Sequence, residues 1–114
     1  MSRHILIASK DKRLGELAKE AVQSLDYNVV MAADLSLALY LTNKNMPDLI
    51  VTDEELINGS GFDLLSELST DEELSVIPIL FIEKNGSDGQ KARDFGAKKV
   101  IASPKTIDEF FLEL

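Results

Sequence analysis

Pro47-Asp48-Leu49-Ile50-Val51-Thr52-Asp53 sets four apolar or β-branched residues between a chain break and a run of acids. Proline has no backbone N–H and ends whatever helix precedes it. Leu49 to Thr52 is too short for a helix and rich in β-branched side chains, so it reads as a strand buried on both faces. Asp53 therefore stands at the carboxyl end of a buried strand, with Glu54 and Glu55 after it. Beyond them, Asn58-Gly59-Ser60-Gly61 is a turn cluster, and Phe62, Leu65 and Leu68 mark the inner stripe of a helix.

The same alternation extends in both directions. His4-Ile5-Leu6-Ile7-Ala8 is a first strand. Leu14, Leu17, Ala18, Ala21 and Leu25 recur at helical spacing, with Asp11 as N-cap. Tyr27 to Ala32 is a second strand, and Asp34 caps a second helix running to about Lys44. Pro78 to Ile82 is a fourth strand; Ser87 to Phe95 is a short fourth helix closed by Gly96. Lys99 to Ala102 is a fifth strand, and Thr106 with Glu109 forms a capping box for a last helix bearing Ile107, Phe110, Phe111 and Leu114. Five strands alternating with five helices predict an α/β three-layer sandwich: one domain over residues 1–114, with right-handed crossovers and a parallel sheet covered on both faces.

Composition narrows the function. The chain has 114 residues, 45% of them hydrophobic and 28% charged, the balance of one globular domain. It has no cysteine and a single histidine, His4, so disulfide frameworks, thiolate metal sites and multi-histidine clusters are excluded. A net charge of −8 repels phosphate backbones and anionic lipid, so no nucleic-acid or membrane partner is expected. No apolar run approaches the ~18 residues that span a bilayer. The amino terminus does not have the pattern of a secretion signal, and a cytoplasmic location is the expectation.

In sheets of this kind, chemistry sits just outside the carboxyl ends of the strands. The candidate site residues are therefore Ser9, Lys10 and Asp11 after the first strand and Asp53, Glu54 and Glu55 after the third. Glu83 and Lys84 follow the fourth, and Ser103 with Pro104 the fifth.

Pro47 to Asp53, with Leu56, Gly61-Phe62-Asp63-Leu64-Leu65, Ala33-Asp34, Ala38-Leu39, and Gly96-Ala97 followed by a strand and Ser103-Pro104, resemble the receiver domain of bacterial response regulators along essentially the whole chain. The resemblance implies a flavodoxin-like (CheY-like) five-stranded sheet of order 2-1-3-4-5. It implies that Asp53 corresponds to the aspartate that accepts a phosphoryl group from a histidine kinase, and that Mg²⁺ assists. It also implies protein partners, either a histidine kinase or a downstream regulator, and allows a homodimer.

The departures from the family pattern are specific. Ser9 and Lys10 stand where two acids hold Mg²⁺; Glu83, followed by Lys84, stands where a hydroxyl residue belongs. Ser103 replaces a lysine, Val100 an aromatic, and Ile57 a proline. Phosphoryl transfer to a carboxylate depends on charge neutralisation by a hard cation and a lysine. An ammonium at position 10 would repel the ion. The expectation is a degenerate receiver, not an enzyme, with no cofactor, acting by protein contacts. In this reading Lys10 takes the ion's place and pairs with Asp53, an attraction of roughly 4 kcal/mol at ~4 Å before desolvation is subtracted. Glu83 and Lys84 would extend that network. Two alternatives remain. One is a working receiver phosphorylated on Asp53, with Mg²⁺ ligands from Asp11 or Glu54. The other is a flavodoxin-like small-ligand or FMN binder, for which Lys10-Asp11-Lys12 is a poor phosphate loop. The second helix, Leu35-Ser36-Leu37-Ala38-Leu39-Tyr40-Leu41, is apolar nearly all round and is expected to leave Leu37, with Tyr40 or Leu41, outward.

Overall fold

The computed structural model describes residues 3–22, 26–83 and 89–101. The elements are β1 (Arg3–Ala8), α1 (Lys12–Ala21), β2 (Tyr27–Ala32), α2 (Leu35–Asn45), β3 (Leu49–Thr52), β4 (Glu55–Leu56), β5 (Gly59–Ser60), α3 (Gly61–Ser69), β6 (Ile79–Ile82), α4 (Gly89–Asp94) and β7 (Lys99–Ile101). The expected last helix, with its Thr106–Glu109 capping box, lies outside the described residues, which contain four helices.

Five strands form one parallel sheet of order β2-β1-β3-β6-β7. With the two-residue strands β4 and β5 set aside, this is the 2-1-3-4-5 order implied by the sequence. Alternate strand residues feed two core layers. Leu6, Ala8, Ile50, Ile79 and Phe81 pack with α2, α3 and α4 on one face. Ile5, Ile7, Leu49, Val51, Leu80 and Ile82 pack on the other with Leu14, Ala18 and Val22 of the α1 segment. A sheet buried on both faces needs apolar residues at consecutive positions, and Ile5 to Ala8, Leu49 to Val51 and Ile79 to Ile82 are all buried.

The helix starts follow from local chemistry. Asp11 accepts from the Arg13 N–H and Asp34 from the Leu37 N–H. Ser60 and Asp63 form a reciprocal capping box on α3. The Asn58-Gly59-Ser60-Gly61 cluster turns more elaborately than expected: Asn58, in the left-handed region at φ 60°, joins the antiparallel hairpin β4–β5. Helix α2 leaves Leu37 and Tyr40 exposed and buries Ala38 and Thr42. No described helix is long and apolar enough to cross a membrane.

Candidate functional site

Asp53 leaves the end of β3 and is buried, at 2% exposure. Its Oδ2 accepts a 2.8 Å hydrogen bond from Ser9 Oγ, which follows the adjacent strand β1 and is fully buried. Ser9 Oγ in turn accepts the Asp11 backbone N–H at 3.0 Å. A serine has a single O–H to donate. Here that proton serves Asp53, and the Asp11 amide fixes the hydroxyl's direction. Alongside, Thr52 Oγ1 donates to the Ala8 carbonyl at 2.9 Å, tying β3 to β1 just before the site. Gly61 sets the far wall. A Cβ there would collide with the Asp53 backbone carbonyl, so only glycine lets α3 begin this close.

The charged neighbours are arranged differently from the expectation. Lys10 Nζ pairs with Glu55 Oε2 at 3.7 Å, and both side chains are well exposed. The expected Lys10–Asp53 pair gives way to this one. Carrying an ammonium onto a buried carboxylate costs desolvation that an exposed pair avoids, and Ser9 already engages Asp53. Asp11 is turned towards α1, where its carboxylate accepts from the Arg13 N–H at 3.0 Å and pairs with the guanidinium at 3.3 Å. The hydrogen bonds that the guanidinium donates to this carboxylate, and then the carboxylate's charge, raise the Arg13 pKa above its ordinary value. Glu83 is partly buried, and its carboxylate lies against Gly89, where a Cβ would sit 2.5 Å from Oε2. Val100 packs against the α2–α4 core layer. Lys84 and Ser103 lie outside the described residues.

The hairpin after Asp53 is sewn to the corner between β2 and α2. The Ile57 N–H donates to the Ala33 carbonyl at 2.8 Å, the Leu35 N–H to the Ile57 carbonyl at 3.0 Å, and Asn58 Nδ2 to Asp34 Oδ2 at 3.2 Å. A proline at position 57, as in the family pattern, would have no N–H for the first of these bonds. Together with Lys10–Glu55, these contacts bind the loops after β1, β2 and β3 into one surface. Sequence reasoning missed this tie. Two-residue strands carry no periodicity, and only the Asn-Gly pair hinted at a hairpin.

Mg²⁺ requires an octahedron of hard oxygen donors. Beside Asp53 the chain offers a neutral hydroxyl whose proton already points at the carboxylate, an ammonium paired to Glu55, an aspartate that caps a helix, and the half-buried Glu54. Among the described residues no group of three or more acids or histidines is placed to hold a metal ion.

A family model, the response regulator receiver domain, matches residues 5–113. The chain belongs to the response regulator receiver family. This receiver is 30% identical over 112 residues to histidine kinase P4 of Formosa agariphila, covering 96% of this chain but 8% of the kinase. It is 25% identical to the polar-differentiation response regulator DivK of Brucella ovis, covering 96% of this chain and 91% of DivK. Among solved structures, the non-phosphorylated HemR receiver domain from Leptospira biflexa superposes with a TM-score of 0.79 at 32% identity, over 98% of this chain and 92% of that one. A putative response regulator from Chloroflexus aurantiacus superposes with a TM-score of 0.86 at 23% identity, over 99% and 96%, which bears on the fold alone. The receiver is thus a module of two-component signalling.

Proposed function

We propose that this receiver is atypical: a non-enzymatic, cytoplasmic signalling module that works through protein contacts, without Mg²⁺-dependent phosphorylation of Asp53. The observation that carries the proposal is the Ser9–Asp53 hydrogen bond. A hydroxyl proton takes the face of the carboxylate where the family pattern places a divalent ion between acids. Two anions, the carboxylate and the incoming phosphoryl group, then meet without the cation that neutralises their repulsion. The Lys10 ammonium is held by Glu55 at the surface and does not supply that charge. The partner is a histidine kinase or a downstream regulator of a two-component pathway.

The test is incubation with a small-molecule phosphodonor and Mg²⁺, followed by intact mass measurement. The proposal expects unmodified protein. A phosphoryl adduct absent from Asp53→Asn would replace it with a working receiver.

A further inference from the structure

One crevice of the fold has a charge opposite to that of the chain. It is an open groove of about 400 Å³ between α1 and the carboxyl ends of β1 and β2. That is within the size range of small-molecule sites, and its position outside the strand ends is where sheets of this class take ligands. Lys10, Lys12 and Lys19 line it, against Glu16 as the single acid. The whole chain, by contrast, carries 20 acids to 12 bases. Ion pairs of this region join Lys10 to Glu55 and Arg13 to Asp11, and neither uses Lys12 or Lys19. Long lysine stems can lie along apolar surface and present their ammonium groups to a bound anion.

The opposite wall is apolar. Met31 crosses Gly15 so closely that a Cβ there would collide with the thioether sulfur. A polarizable sulfur beside small residues suits the face or edge of an aromatic ring. Ser9 forms the inner end of the crevice, and its hydroxyl is the one bonded to Asp53.

We propose that this crevice binds a small anion with a flat apolar body, of nucleotide size: the anionic group at Lys12 and Lys19, the ring against Met31. Occupancy bears on Ser9 and through it on Asp53, giving the module an input that needs no phosphoryl transfer. This rests on the proposed function only for that last consequence; binding itself is independent of it.

The experiment is an amide-resonance titration of the full chain with adenosine monophosphate, in low salt and without Mg²⁺. Adenosine and inorganic phosphate are run separately, and Lys12→Glu/Lys19→Glu serves as the variant. The proposal expects saturable shifts confined to α1, the end of β2 and Ser9. It expects binding by either fragment alone to be weaker, and a loss of about tenfold or more in the variant, about 1.4 kcal/mol. Absence of saturation, equal binding by phosphate or adenosine alone, or undiminished binding by the variant would each overturn it. Both variant residues are exposed, so loss of fold does not confound the result. Phosphorylation of Asp53 in the earlier test would sink the proposed function and leave this binding result standing.

Discussion

Ser9 Oγ donates a 2.8 Å hydrogen bond to Asp53 Oδ2, and water is excluded from both side chains. A hydrogen bond to an ionised acceptor is stronger than a neutral one. Ser9→Ala removes this donor from a buried carboxylate, at a cost of about 1–3 kcal/mol. In thermal unfolding we expect the melting temperature to fall by roughly 4 °C or more. An unchanged melting temperature would mean that the bond contributes nothing.

Gly61 permits α3 to start against the Asp53 carbonyl. Gly61→Ala forces either the helix or the Asp53 loop to move, with an overpacking cost of about 1–3 kcal/mol. The urea midpoint should fall, and the amide resonances of Asp53, Glu54 and Gly61 should shift. Stability equal to the parent would show that the loop gives way freely.

Lys10 and Glu55 are paired at the surface with side-chain exposures of 50% and 71%. Exposed pairs contribute about 0.2–1 kcal/mol. A double-mutant cycle of Lys10→Ala and Glu55→Ala should give a coupling within that range, shrinking as salt is added. A coupling indistinguishable from zero would mean that Lys10 and Glu55 do not pair in solution.

Much of the architecture was legible in the sequence, because burial on both faces imposes unbroken apolar runs such as Ile5 to Ala8 and Ile79 to Ile82. The caps Asp11 and Asp34 were equally legible, since capping is a local hydrogen bond. The partner of Lys10 was not. Asp53 and Glu55 are two residues apart, and spacing cannot tell which acid is buried and engaged. Only the tertiary placement of Ser9 decides that. The Ile57–Ala33 tie was hidden for the same reason: it joins two loops that touch only once the sheet is assembled.

The most direct test of the account is the melting temperature of the protein titrated with Mg²⁺ at constant ionic strength. An ion bound to the native site at a hundred times its Kd would add about 2.7 kcal/mol of stability. With Ser9 on Asp53 and Lys10 on Glu55, we predict no saturable rise. A saturable rise that disappears in Asp53→Asn would contradict the account.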